Sequence, residues 1–279
     1  MRISLPALII IALSLAVPAE AADTVGINAA IRNKVLTRAP AAPALRPAVL
    51  KARVSLGEQV VTQANSMLQI LLLDRSSFTV GANAQVSIDR FVYDPDRSAS
   101  AVGASVAKGA FRFVSGKSVK GRPGQSKVRT PAASIGIRGT VFEGVVGPDA
   151  VRIALGEAGA GGVRGNAGEA TLVVLRGPAA TATEPGGAID VEANGEVIPV
   201  DRPGMAVFIP GAGQKAIGPF ALSDKGLLAL HDLLRTTPDT RGNPIAFDPE
   251  GNPIIDRTLE DLPVFDGQVP IDVIDGGPQ

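Results

Sequence analysis

Short apolar or alternating runs separated by turn residues fill the chain between residues 49 and 209. The runs are 58–62, 67–73, 78–80, 86–93, 110–114, 140–146, 151–155, 171–175, 196–200 and 206–209. Runs of this length, rich in Val, Ile and Phe and bounded by Gly, Asn and Asp, indicate β-strands. We therefore predict an all-β fold, a short-stranded sandwich or solenoid-like domain with one C-terminal helix and an irregular tail.

The alternation at Phe111, Arg112 and Phe113 places two rings on one face of a strand and the guanidinium on the other. This predicts a core face and a solvent-exposed face. Aromatic residues make up only 4% of the chain. We therefore expect a core of aliphatic layers, which suits the narrow interior of a sandwich or solenoid.

One helix is predicted after residue 222. Ser223 can cap its N-terminus, and Asp224 suits the positive end of the helix dipole. Leu227, Leu230 and Leu234 follow at helical spacing and form a stripe that can dock on the sheet.

Three segments are predicted to lack regular structure. The six glycines of residues 156–168 indicate a mobile loop, and the prolines of residues 39–48 indicate an extended surface segment. Residues 236–279 are rich in Pro, Gly and Asp and read as an irregular tail.

The N-terminus has the pattern of a secretory signal peptide. Arg2 supplies the positive charge, residues 5–17 are apolar, and Ala19 and Ala21 flank a cleavage point. The apolar run is shorter than the roughly 20 residues of a spanning helix, so we expect cleavage, with retention as an anchor as the alternative. The mature protein would be periplasmic or secreted, with no stable membrane span after cleavage.

The predicted organisation has five parts. They are a signal peptide at 1–21, an N-terminal strand with a Pro/Ala-rich segment at 22–48, a β domain at 49–156, further strands packed on it at 157–215, and a short helix with an acidic tail at 216–279.

Composition excludes much catalytic chemistry. The chain has no cysteine and one histidine, which removes disulfides, thiolate nucleophiles and multi-histidine metal sites. Gly116, Lys117 and Ser118 resemble the end of a phosphate-binding loop, but Phe111 stands where that loop needs glycine. We predict no catalytic residue, no metal site and no cofactor, while an enzyme built on paired carboxylates stays open because their spacing is spatial.

The formal net charge of +0 conceals a strong segregation of charge along the sequence. Residues 97–142 carry nine basic residues and no acid, whereas residues 248–279 carry eight acids and one base. The neutral total argues against nucleic-acid binding. The basic residues are either solvated strand faces or a patch for an acidic protein, an anionic glycan or the tail itself. The predicted partner-binding residues are Arg112, Lys117, Lys120 and Arg122.

Residues 130–140 read Thr-Pro-Ala-Ala-Ser-Ile-Gly-Ile-Arg-Gly-Thr, and residues 109–117 read Gly-Ala-Phe-Arg-Phe-Val-Ser-Gly-Lys. Together with the runs at 71–80 and 86–93, they closely resemble the FecR domain of bacterial envelope proteins over about residues 49–156. One departure is Arg75, where the family commonly has glycine, and this puts the usual tight turn in doubt.

The resemblance implies an all-β, solenoid-like periplasmic module that passes signals through protein contacts, without catalytic residues. Its motif residues here are Thr130, Pro131, Gly136, Arg138, Gly139 and Thr140. We expect Gly136 and Gly139 to permit positive φ or close backbone approach, and Arg138 to be a structural clamp rather than a ligand site.

Regulators of the iron-transport type place an anti-sigma segment and a membrane helix before this domain, and a signal peptide replaces both here. We therefore predict a non-catalytic, exported interaction module whose partner is an envelope protein, paired along an exposed sheet edge and aided by the basic stretch. Binding of an anionic glycan or cell surface, and a signal-anchored regulator, are the alternatives.

Overall fold

A computed structural model describes residues 23–94, 99–116, 125–178 and 186–235. The strands in chain order are β1 (Thr24–Arg32), β2 (Val35–Arg38), β3 (Arg46–Pro47), β4 (Arg53–Ser55), β5 (Gln59–Thr62), β6 (Met67–Leu72), β7 (Ser77–Val80), β8 (Gln85–Asp94), β9 (Ala99–Val114), β10 (Ser126–Arg129), β11 (Ser134–Arg138), β12 (Val141–Val146), β13 (Thr171–Gly177), β14 (Ala188–Ala193), β15 (Glu196–Val200), β16 (Met205–Ile209) and β17 (Ile217–Ala221). The described residues also form two α-helices, α1 (Pro148–Leu155) and α2 (Asp224–Leu234).

The strands form two sheets that share β9. The first sheet has the order β4-β1-β6-β7-β9-β12-β13-β16-β17, and all its pairs are antiparallel. The second sheet has the order β3-β2-β5-β8-β9-β10-β11-β14-β15, in which only the β9–β10 pair is parallel. Strands from both sides of residue 156 lie in both sheets, so the sheets continue through the predicted boundary there.

Strand β9 passes from the second sheet to the first at Gly109. Residues before Gly109 pair with β8 and β10, and residues after it pair with β7 and β12. Gly109 has a φ of 84°, and a Cβ at this position would overlap the backbone of Ala84. Only glycine can therefore occupy this corner without moving the neighbouring loop.

The main core lies between the two sheets. The first sheet contributes four fully buried rings, Phe78, Phe111, Phe113 and Phe142, whose adjacent centroids lie about 6 Å apart. The second sheet contributes aliphatic side chains from β5, β8, β9, β10, β11 and β14. The expected aliphatic core is therefore correct for one sheet only, because a large share of the few aromatic residues is concentrated on three neighbouring strands of the other.

A helical layer covers the outer face of the first sheet. Leu172, Phe208 and Val145 on this face pack with Ile153 of α1 and Leu230 of α2 in a second buried cluster. The expectation that the face opposite Phe111 and Phe113 is wet is therefore wrong. The protein has three layers, with helices on one sheet only within the described residues.

The all-β class is confirmed, and so is the C-terminal helix. Ser223 caps α2 by accepting a hydrogen bond from the amide of Gly226 at 3.1 Å. The strand predicted at 151–155 is wrong, because these residues belong to α1. Pro148 at its first turn, Asp149 after it, and buried Ala150, Ile153 and Ala154 at helical spacing explain the helix.

The glycine-rich segment 156–168 contains a 3₁₀ turn at Ala158–Ala160 and packs against the body of the protein. Its Glu157 is buried and accepts hydrogen bonds from the amide of Ser223 at 2.9 Å and from its hydroxyl at 2.7 Å. The segment thereby holds the N-terminus of α2 in place. Residues 39–48 are mostly exposed, as expected. The predicted signal peptide and acidic tail lie outside the described residues.

Candidate interaction surface

The outer face of the second sheet lacks a helical layer in the part of the chain that the structure describes. Apolar side chains of β5, β8, β10 and β11 point inward, so the alternate positions point outward. These outward positions are mainly small or polar. Within the described residues, this sheet face is therefore a regular surface that no helical layer covers.

A straight row of five polar side chains crosses this face. Strand pairing places Arg38 of β2 beside Gln59 of β5, Gln59 beside Ser87 of β8, Ser87 beside Ser105 of β9, and Ser105 beside Arg129 of β10. An arginine thus stands at each end, with an amide and two hydroxyls between them. We call these residues the polar row.

The polar row lines a shallow groove of about 390 Å³. The loop after β10 closes one end of the groove with Thr130 and Pro131, the first two residues of the sequence motif. None of the described residues that line the groove carries a carboxylate. Its electrostatic character is therefore set by two guanidinium groups.

Asp89 of β8 orients one end of the polar row from outside the groove. Its Oδ2 accepts a hydrogen bond from Ser105 Oγ at 2.5 Å and lies 3.8 Å from Nη1 of Arg129. The ion pair is exposed to solvent, so its strength is small. Arg129 therefore keeps most of its capacity to bind an anionic partner.

The motif residues support this end of the groove. Thr130 Oγ1 accepts hydrogen bonds from the amide of Ala133 at 3.0 Å and from Thr171 Oγ1 at 2.9 Å. Because two hydrogen bonds fix Thr130, the turn that carries the exposed Pro131 has a defined position.

The second half of the motif is structural in its contacts. Arg138 Nη2 donates to Oδ1 of Asp190 at 3.0 Å, which ties β11 to β14. Thr140 is buried, and its hydroxyl donates to the carbonyl of Gly177. Gly139 has a φ of 58°, as expected. Gly136 lies in extended β11, and a Cβ at this position would lie 3.7 Å from the nearest atoms of Asp190, an ordinary van der Waals contact.

Residues 58–180 match the family profile described as FecR protein. This stretch is a FecR domain. The match begins just before β5 and ends just after β13. The groove formed by β2, β5, β8, β9 and β10 is therefore lined almost entirely by the FecR domain.

Two solved structures show similarity to the chain. Both are crystal structures of a candidate anti-sigma factor from Parabacteroides distasonis ATCC 8503, with 14% sequence identity and TM-scores of 0.38 and 0.37. Each alignment covers 57% of this chain and 57% of that chain. The chain therefore spans little more than half the length of the solved structures it matches. No curated protein matches it.

Arg112 of the FecR domain lies away from the groove, on the covered face of the first sheet. Its side chain is 16% exposed and is paired with Glu143, which is 2% exposed. Arg112 is therefore engaged inside the protein rather than displayed on a basic surface. The other three predicted partner-binding residues, Lys117, Lys120 and Arg122, lie outside the described residues.

The turn at Arg75 keeps its tight geometry despite the departure from the family pattern. Arg75 adopts a φ of 65°, and its amide donates to the carbonyl of Leu72 at 2.9 Å. Asp74 accepts hydrogen bonds from the amide and the hydroxyl of Ser76, both at 2.9 Å. The side-chain contacts of Asp74 therefore hold a non-glycine residue in the left-handed region.

The ionisable chemistry of the described residues is sparse. Burial and the nearby charges of Arg112 and Arg235 lower the pKa of His231 from its ordinary value of 6.5. The described residues contain no group of three or more His, Asp or Glu side chains that could hold a metal ion. None of the described helices is long and apolar enough to cross a membrane.

Sequence reasoning missed the polar row. Arg38 lies far from Arg129 in the sequence, and the intervening strands bring them to one face. Alternation places each side chain on an outer face, but the register that aligns five strands has no local signal.

Proposed function

We propose that this protein is an exported, non-catalytic FecR-domain module that binds an acidic segment of an envelope protein across the polar row. The observation that carries the proposal is the register that aligns Arg38, Gln59, Ser87, Ser105 and Arg129 in one groove. Membership of the FecR family supports a regulatory role in envelope signalling.

The spacing of charges in the groove suits an extended ligand. Arg38 and Arg129 are separated by four strand spacings, or roughly 19 Å at about 4.8 Å for each spacing. An extended peptide covers that distance with about six residues. Carboxylates near both ends of such a segment could each accept hydrogen bonds from a planar guanidinium.

The middle of the groove favours a polar backbone over an apolar side chain. Gln59 supplies an amide that can donate and accept, and Ser87 and Ser105 supply hydroxyls. Such groups can hydrogen-bond to the peptide groups of an extended chain whatever the sequence of that chain. Specificity would then come from the charges at the ends of the row.

A capture experiment tests this proposal. The bait is the mature chain, and the variant is Arg38→Glu with Arg129→Glu. The matched control is Lys215→Glu with Lys225→Glu, which makes the same charge change at two exposed positions outside the groove. Baits are incubated with envelope extract at low and at high ionic strength, and bound proteins and polysaccharides are identified.

We expect an acidic protein that the wild type and the control capture at low salt, and that high salt and the groove variant both remove. Equal capture by the groove variant contradicts the proposal. Enrichment of an anionic polysaccharide in place of a protein replaces it with the glycan-binding alternative. Export itself is tested by the N-terminus of the purified protein, which should begin near residue 22.

A further inference from the structure

Proline or short length protects the outer strands of both sheets from pairing with other chains. Pro219 lies in β17 and Pro199 lies in β15, at the far edges of the first and second sheets. At the opposite edges, β3 has two residues including Pro47, and β4 has three. These are the devices by which soluble proteins prevent edge-to-edge association.

The distal half of β8 has neither device. The proximal residues of β8 pair with β5, and the carbonyl of Ile88 accepts a hydrogen bond from the amide of Gly57 at 2.7 Å. Beyond Ile88, β9 is the only described strand that pairs with β8. The distal segment, residues 89–94, contains no proline or lysine. Among the described strands, its other edge is therefore left open to a further strand.

The side chains of this segment are of types that favour strand pairing, with Val92 and Tyr93 exposed and Phe91 partly buried against the core. Phe91 and Tyr93 lie on one face with ring centroids 6.4 Å apart, and Val92 on the other face is 52% exposed. Aromatic and β-branched residues stabilise cross-strand pairs. A strand end with this composition and an open edge is suited to sheet extension.

We propose that this edge of β8 pairs antiparallel with the same edge of a second copy, forming a two-fold symmetric dimer with sheets that are continuous across the interface. The proposal is independent of the ligand of the polar row. It rests on the open edge, its side chains and the self-complementarity of the segment, whose sequence is Asp-Arg-Phe-Val-Tyr-Asp.

Self-complementarity selects one register. With the two-fold axis at Val92, Arg90 faces Asp94 of the second copy, Phe91 faces Tyr93, and Val92 faces Val92. With the axis moved to Phe91, Arg90 faces Val92 and Asp89 faces Tyr93 of the second copy, so both charged residues face uncharged ones. The Val92 register therefore combines charge complementarity with aromatic and aliphatic pairs.

The interface is small. Pairing of one short strand buries much less than the roughly 1,600 Å² of a standard interface, so we expect a dissociation constant on the order of micromolar or weaker. A symmetric contact closes after two copies, which limits association to dimers.

Sedimentation over a range of concentrations tests the dimer. The test variant is Val92→Lys, because lysine on an edge strand opposes pairing. The matched control is Val197→Lys, at an edge valine of β15 that is 56% exposed. We expect a reversible dimer for the wild type and the control and a monomer for Val92→Lys. A monomeric wild type at high concentration, or equal loss in both variants, overturns the proposal.

Cysteine cross-linking tests the register. Because the chain has no cysteine, a single introduced thiol can form only an intermolecular disulfide. Paired residues on adjacent antiparallel strands have Cα atoms about 4.5–5.5 Å apart, which a disulfide can bridge. Under mild oxidation, Val92→Cys should form a covalent dimer and Val197→Cys should not. Equal cross-linking of the two variants contradicts the β8 interface.

Discussion

Arg112 on β9 faces Glu143 on β12 directly across the antiparallel pair, and its Nε donates to Oε1 of Glu143 at 2.8 Å. Arg176 on β13 approaches the other oxygen of Glu143, with its Nε 3.6 Å from Oε2. One buried carboxylate therefore balances two arginines beneath the helical layer. Arg112, one of the nine basic residues of the stretch 97–142, therefore contributes to stability inside the protein.

Glu143→Gln should destabilise the protein by about 2–3 kcal/mol. The change leaves Arg112 and Arg176 without their shared counter-charge in a largely buried site, where breaking an ion pair is costly. Arg112→Met should cost less, because Glu143 retains Arg176. Urea unfolding measures both variants.

The control is Asp149→Asn, which removes an exposed pair with Arg152 within α1. Its cost should stay below about 1 kcal/mol, since exposed ion pairs contribute little. An equal loss for Asp149→Asn and Glu143→Gln contradicts the assignment of Glu143 as a buried counter-charge.

The single histidine should make stability sensitive to acid. Burial, Arg112 and Arg235 lower the pKa of His231, whereas Glu143 and Asp232 act in the opposite direction and do not cancel that effect. As the pH falls below 6.5, His231 therefore becomes protonated in the unfolded chain while it is still largely neutral in the folded chain. The contribution of neutral His231 to stability is fully present above pH 6.5, and it is lost progressively as the pH decreases towards the lowered pKa of His231.

His231→Gln should remove this component of the pH dependence. The measurement is the free energy of unfolding from pH 7.5 to pH 5 for the two proteins, compared as a difference so that shared carboxylate titrations cancel. Nuclear magnetic resonance of the only imidazole gives its pKa directly. A pKa at or above 6.5 contradicts this prediction.

Arg75→Gly should stabilise the protein by about 0.5–1 kcal/mol. A non-glycine residue at positive φ costs roughly 1–2 kcal/mol, and glycine returns part of that through its larger unfolded-state entropy. Thermal unfolding measures the change. Arg75→Ala is the control and should give no comparable gain, because alanine keeps the Cβ that disfavours a φ of 65°.

Gly109→Ala should cost about 3 kcal/mol or more, since it adds steric overlap to an unfavourable φ. Gly136→Ala, in the family motif, should change stability by less than about 1 kcal/mol because its site has room for a methyl group. Denaturant unfolding compares the pair. A tolerated Gly109→Ala would show that β9 can change sheets without this corner.

The strands of the FecR domain could be predicted because alternation and turn residues are local signals. The first half of strand β9 could not be predicted in this way. Its small residues, Gly103 and Ala104 among them, have no clear apolar pattern. The strand prediction at 151–155 was wrong because Val151 and Ile153 are residue types common in strands, whereas Pro148 favours the first turn of a helix.

The polar row could not be predicted, because it depends on which strands lie side by side. Arg38 and Arg129 come together only through the registers of β5, β8 and β9. Burial of Arg112 depended in the same way on a helical layer whose position the local pattern does not contain. The contact of Arg138 with Asp190 also joins strands that are distant in the sequence.

Site-specific photo-cross-linking in living cells tests the central claim, binding at the open face of the second sheet. One variant carries the photoreactive residue at Gln59 in the groove, and the control carries it at Leu228, which is exposed on α2. We predict a discrete adduct with an acidic envelope protein from position 59, lost when Arg38→Glu and Arg129→Glu are added, and no such adduct from position 228. An adduct from position 228 alone, or one that survives the two charge reversals, would contradict the account.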